Sequence, residues 1–140
     1  MGGSDRWRGV AGHQLITVGL VDWSLDRPGL SSGFVPEKVV DDLDFLSVHI
    51  YPEKDGVDKA LKTLEGFAVG KPVVIEETFT LKCSLQEWEK FVDGSKATAC
   101  GWIGFYWGKP PEELRRSKEI GDAILLAWLE SFQRQAKRPR

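Results

Sequence analysis

The chain of 140 residues contains no asparagine, one methionine, and only two residues each of cysteine, histidine and tyrosine. Each scarcity closes off a class of explanation. Two cysteines, Cys83 and Cys100, are too few for the disulfide framework of a small secreted fold, and too isolated for a zinc site. His13 and His49 lie far apart with no partners at metal-ligand spacing, so neither a metal nor another cofactor is expected. A surplus of charge is missing too. Nineteen basic against 21 acidic residues leave a net charge of −2, which gives no electrostatic reason to expect nucleic acid. No apolar run approaches the roughly 20 residues that cross a bilayer, so no membrane partner is expected. The opening MGGSDRWRGVAGH lacks the apolar stretch of an export signal. Phosphate-binding loops are absent as well: no G-x-G-x-x-G follows a strand-like run. The Gly-Lys pair at Gly70-Lys71 has the wrong glycine spacing and no Ser or Thr after it.

What is present has globular character. At 41% hydrophobic and 29% charged residues, the length suits one domain with its own core. Six tryptophans are a large investment. Each ring must be buried or else exposed for a purpose such as stacking on a ligand. Trp102 and Trp128 fall within apolar patterns and are expected in the core.

Periodicity divides the chain into four similar modules. Leu15–Val21 is a near-continuous β-branched run, as expected for a strand covered on both faces. The Gly/Pro/Ser-rich stretch 26–33 reads as loop, and a short helix over 36–43 follows, with Pro36 in its first turn. Phe45–Tyr51 is a second strand, stopped by Pro52. Val57, Ala60, Leu61, Leu64, Phe67 and Ala68 then repeat at helical spacing. Val73–Glu77 is a third strand. Ser84 with Glu87 three residues on forms a capping box that opens a helix through Trp88 and Phe91. Gly101–Trp107 is a fourth strand. The last helix is expected to bury Ile120, Ile124, Trp128, Leu129 and Phe132 before a polar tail over 134–140. Residues 1–12 read as a poorly ordered leader, and residues 13–133 as the domain. Strands and helices alternating at a period of about 30 residues indicate an α/β fold of four consecutive βα units and a parallel sheet.

Right-handed crossovers put the C-terminal end of every strand on one side, the side where α/β folds hold ligands. His49 and Tyr51 end the second strand, Glu76 and Glu77 the third, Trp107 the fourth, while Asp22 and Trp23 follow the first. Alternation gives Ser47, His49 and Tyr51 one face and Leu46, Val48 and Ile50 the other, which should meet the helices. By the same rule only one of the two adjacent glutamates points inward. A carboxylate, an imidazole, a phenol and an indole on neighbouring strand ends make a reactive pocket, with the carboxylate as nucleophile or base and the indole as a stacking surface.

Asp44–Pro52, with its His-x-Tyr, resembles the sixth strand of the cellulase- and mannanase-like glycoside hydrolases of family 5 and its clan. Lys71-Pro72-Val73-Val74-Ile75-Glu76-Glu77 is similar to their seventh strand, Gly101–Trp107 to their eighth, and Leu15–Leu20 to their fifth. The resemblance implies a half (β/α)8 TIM barrel built from strands 5–8. It makes Glu77 the catalytic nucleophile, His49 and Tyr51 the pair that positions it and contacts the sugar, and Trp107 the stacking tryptophan. Glu76 and Trp23 join the substrate-binding surface, and the ligand is a β-linked oligo- or polysaccharide. One departure is local: Thr78-Phe79 follows Glu77 where the family has an aromatic residue and then glycine.

The larger departure is a missing partner. Family members are barrels of about 250 residues, and retaining glycosidases need two carboxyl groups roughly 5 Å apart. Their acid/base glutamate follows an asparagine, and this sequence has none; Asp22 and Glu53 are the nearest substitutes. The resemblance therefore implies a fragment that carries the nucleophile without the acid/base half, inactive or weakly active alone. Its exposed edges call for a homodimer or a complementing N-terminal half-barrel. Two alternatives stand beside it: a carbohydrate-binding or interaction remnant without chemistry, and an unrelated open α/β ligand-binding domain.

Overall fold

A computed structural model describes residues 14–137; the expected leader, His13 and the last three residues of the tail lie outside them. Four parallel strands form one sheet in the order of the chain: β1 (Gly19–Val21), β2 (Leu46–His49), β3 (Val73–Glu77) and β4 (Ala99–Trp102). Helices alternate with them: α1 (Pro36–Val39), α2 (Val57–Glu65), α3 (Leu85–Ser95), α4 (Pro111–Arg116) and α5 (Ile120–Ala136). The chain is an α/β protein with a parallel sheet, as its periodicity predicts.

The helix-facing side of the sheet carries one branched or small apolar residue after another: Leu20, Leu46, Val48, Val73, Ile75 and Ala99. They pack on Ala60 and Leu64 of α2, on Phe67, and on Phe91 of α3. Ile50 joins this core, so Leu46, Val48 and Ile50 do share the helix side. Each fully buried side chain of this size contributes roughly 1.5–3 kcal/mol. A second cluster locks α3 to α5. Trp88 and Val92 meet Trp128, Leu129 and Phe132, and Phe79 packs edge-on to Trp128 with ring centres 4.9 Å apart. The Ser84 hydroxyl accepts from the Glu87 N–H while the Glu87 carboxylate accepts from the Ser84 N–H, so the capping box forms as read.

Several boundaries differ from the sequence reading, each for a local reason. Only Gly19–Val21 of the first run joins the ladder. Before it, Ile16 N–H donates to the Asp44 carboxylate at 2.8 Å, the Ile16 carbonyl accepts from the Asp44 N–H at 2.8 Å, and Thr17 Oγ1 donates to the Phe45 carbonyl at 2.8 Å, so bonds outside the ladder tie that stretch to the start of β2. The expected helix over 36–43 is a single α-turn, α1, followed by a 3-10 turn at Val40–Asp42. Strand β4 starts two residues early and ends at Trp102. Ile103 makes one more bond, its N–H donating to the Ile75 carbonyl at 2.8 Å, and then the chain leaves the sheet. It passes close over α5, where a Cβ on Gly104 would come within 3.3 Å of the Phe132 ring. Helix α5 begins to pack only at Leu125, which leaves Ile120 and Ile124 exposed instead of buried. It also runs past the expected start of the tail, to Ala136, with Arg134 beside Glu89 at 3.4 Å.

The opposite face of the sheet is different in kind. A Cβ built on Gly19 would meet His49 and Glu76, and one on Gly101 would meet Val74 at 3.7 Å, so these residues share that face. Among the described residues no helix contributes to a core cluster there.

Candidate active site

Strands β2 and β3 run in register from Leu46 opposite Val73 to Val48 opposite Ile75, and then the register slips. His49 lies opposite Glu77, which leaves Glu76 as an extra residue in a bulge. Bulges re-aim side chains, and this one cancels the back-to-back arrangement of two consecutive glutamates. Both reach one imidazole. His49 Nε2 lies 2.7 Å from Glu76 Oε1, and Nδ1 lies 3.2 Å from Glu77 Oε2. The expectation that only one glutamate could face the pocket is therefore corrected: alternation fails where the ladder carries an extra residue.

Alternation up to that point places Glu76, with Val74, on the face away from the helices, since Val73 and Ile75 lie beneath them. Glu77 is the last residue of β3 and projects from the C-terminal end of the sheet. The Tyr51 hydroxyl donates to its Oε1, and its backbone carbonyl accepts from the Ile50 N–H at 3.0 Å. The strand end and the carboxylate are thus tied to the same segment. His49, Glu76 and Glu77 are each 27% exposed, so the cluster is sheltered but open to a ligand from one side. Two carboxylates flanking one imidazole are fully hydrogen-bonded when both ring nitrogens carry hydrogen or when one carboxyl does.

Beside the cluster is a cavity of about 200 Å³ whose lining includes Asp22, His49, Tyr51, Glu53, Lys59 and Lys82. Lys82 Nζ donates to Glu53 Oε1 at 3.1 Å, and this bond holds the Glu53 carboxyl below its ordinary range. Charges of both signs, the Tyr51 ring and the His49 imidazole surround this one hollow.

Compared with known protein families, curated proteins and solved structures, the chain gives no match.

Of the residues singled out in the sequence, His49, Tyr51, Glu76 and Glu77 come together. Trp23 stands in the turn after β1, 60% exposed, next to Asp22 of the cavity wall. Trp107 is 96% exposed on the segment beyond β4 and is not part of the cavity lining. Trp128 is core, whereas Trp102 is only half-buried, its indole N–H donating to Ser95 Oγ at 2.9 Å. Among the described residues no group of acidic, His and Cys side chains could hold a metal.

Two contributors escaped the sequence reading. Gly19 is the space in which the cluster fits: a Cβ there would lie 2.7 Å from Glu76 Oε1 and 3.1 Å from His49 Nε2. Its signal was a glycine interrupting a β-branched run, the mark of a close approach. Thr78, buried behind Glu77, accepts from Trp88 Nε1 at 3.2 Å and anchors the segment that leaves β3 to the α3–α5 core.

Proposed function

We propose that this chain is the nucleophile-bearing half of a retaining β-glycoside hydrolase of the cellulase and mannanase type, a half-barrel corresponding to strands 5–8 of a (β/α)8 barrel. The observation that carries the reading is Glu77: its carboxylate sits at the C-terminal end of a parallel sheet, bound by the Tyr51 hydroxyl and faced by His49. Parallel α/β barrels carry their chemistry at that end. In the proposed reaction Glu77 Oε attacks the anomeric carbon. The bond from that carbon to the leaving oxygen breaks, and a glycosyl ester forms on Glu77, which water then hydrolyses. Tyr51 keeps the attacking oxygen aligned. Glu76 and His49 present polar groups to the sugar, and Asp22 and Glu53 border the adjoining hollow, with Trp23 beside Asp22 in the chain.

The reading includes a limit on activity. An unactivated glycoside needs an acid to protonate its leaving group, and the Asn-Glu pair that supplies one in the family has no counterpart in a sequence without asparagine. A leaving group that needs no proton removes this requirement. Incubation with a dinitrophenyl 2-deoxy-2-fluoro-β-glycoside should label the chain on the peptide containing Glu77, with release of dinitrophenolate. Labelling should vanish in Glu77→Gln. A wild-type chain that releases no phenolate and takes no label at Glu77 would sink the assignment.

A second reading, sugar binding without turnover, has one observation in its favour: Trp107 and Trp23 are both large indole surfaces left in solvent. It expects oligosaccharide to quench tryptophan fluorescence equally in the wild type and in Glu77→Gln, with no labelling in either.

A further inference from the structure

We propose that two copies of this chain join edge to edge, β4 of each beside β1 of the other, to close an eight-stranded parallel barrel about a twofold axis. The inference rests on the half-barrel part of the reading above and is independent of its glycoside chemistry.

The backbone supplies the first argument. β1 and β4 are the two ends of the sheet, and each presents an outer row of N–H and C=O groups with no ladder partner among the described residues. All four strands run the same way, so a copy rotated about an axis along the sheet offers its β1 edge to β4 in the parallel sense. The same rotation offers its β4 edge to β1. Eight strands is the number at which such a barrel closes around a packed interior, and a twofold operation satisfies both edges at once. Parallel sheets are ordinarily covered on both faces, and here the face of Gly19, Val74 and Gly101 has no core cluster of its own.

The side chains repeat this complementarity. Leu81 apart, the exposed large hydrophobics fall in the segments that flank β1 and follow β4 in the chain, among them Leu15, Leu30 and Phe34, and Ile103, Phe105, Ile120 and Ile124. Closure places α5 of one copy beside the α1 region of the other. Charge is matched in the same place. The stretch before β2 reads Asp41-Asp42-Leu43-Asp44, with Asp44 also accepting from the Ile16 N–H, whereas α5 ends at Arg134, beside Glu89, and Lys137. Gln135 and Ala136 share a hollow with Lys96 at the end of α3, so the basic end of α5 lies at the end of the sheet where strands begin, as the acidic stretch does. Closure also sets two His49–Glu76–Glu77 clusters around one barrel mouth, so each Glu77 gains carboxylates from the other copy across it.

Light scattering on the purified chain tests this. The expected mass is twice 15.7 kDa at micromolar concentration; a monomer, or an open-ended polymer, would overturn the inference. Ile103→Lys with Ile124→Lys changes two side chains that are exposed in the single chain, so it should give a monomer with an unchanged far-UV circular dichroism spectrum. A dimer surviving both substitutions counts against the proposed edges. Cys100, exposed on β4, reports the pairing mode in a Cys83→Ser background. Head-to-tail closure keeps the two Cys100 residues on opposite sides of the barrel, so oxidation should not link them; a rapid Cys100–Cys100 disulfide would show β4-to-β4 pairing instead. A dimer that takes no label at Glu77 leaves this inference standing and removes the glycosidase reading. A labelled monomer does the reverse.

Discussion

His49 Nδ1 lies 3.2 Å from Glu77 Oε2, although the alternation of a regular strand would send Glu77 to the opposite side of the sheet from its neighbour Glu76, which bonds to the same imidazole. The bulge in the β2–β3 register brings Glu77 to that imidazole, and Gly19 on β1 leaves the space that Glu76 and His49 fill. A four-residue cluster, Tyr51–Glu77–His49–Glu76, is the product of three strands and belongs to none of them alone.

Gly19→Ala should break that cluster first at Glu76. The new methyl would stand 2.7 Å from Oε1, a distance that forces the carboxylate away. In a His13→Gln background one imidazole remains, so the resonance of the proton bridging Nε2 and Glu76 can be followed alone by NMR. The resonance should disappear in the alanine variant, and stability should fall by about 1 kcal/mol. A resonance unchanged by the methyl would contradict the packing described.

Ser47→Ala should cost nothing. The Ser47 hydroxyl is buried beside the site with no hydrogen-bond partner among the described residues. Removing an unsatisfied buried hydroxyl leaves stability unchanged or raises it by up to about 1 kcal/mol. Urea denaturation reads this directly, and a substantial loss would reveal a partner for Oγ.

Thr78→Val should behave in the opposite sense. It keeps the shape but removes the acceptor of the buried Trp88 indole N–H, which is left desolvated. A loss of about 1–3 kcal/mol is expected, seen as a lower urea midpoint with an unchanged slope. If the midpoint holds, the indole N–H has found another acceptor.

Acid should weaken the start of α3 in a defined window. The Asp55 N–H and then the Ser84 N–H and hydroxyl hold the Glu87 carboxyl down to about 2 from an ordinary 4.5. A depressed carboxyl stabilises the fold above its unfolded value and loses that contribution as pH falls from about 4.5 towards 2. Glu87→Gln should flatten this part of the stability–pH curve. Because the group is exposed, the slope is modest and lessens with salt. An equally steep curve in the variant would assign the acid sensitivity elsewhere.

Much of the architecture was legible because it is written in local periods. The helix starting at Val57, the strand Val73–Glu77 and the Ser84–Glu87 cap depend on residues at most four apart, and all three form, the helix ending at Glu65, short of the apolar spacing that runs on to Ala68. Positions that failed depend on distant neighbours. Ile120 and Ile124 continue the apolar spacing of α5, yet they lie exposed because α3 offers a surface only from Leu125 onward. Gly101–Trp107 has the composition of a strand, but pairing starts at Ala99 and stops after Ile103, where the chain passes close to Phe132 of α5. For the site, residue types and strand ends were visible in the sequence, including His49, Tyr51, Glu76 and Glu77. Which glutamate meets which partner was not.

Local pattern in the chain is enough to set the alternation of strand and helix, the parallel sense of the sheet, and the placement of an imidazole, a phenol and two carboxylates at one end of it. Those follow from hydrophobic spacing and from chain-connectivity rules that act over a few residues at a time. Packing between distant segments sets the rest: both glutamates share His49, Gly19 makes room for Glu76, and Trp107 stands in solvent. Each of these depends on register between strands some 30 residues apart, and register is fixed by backbone pairing and packing that no local period encodes.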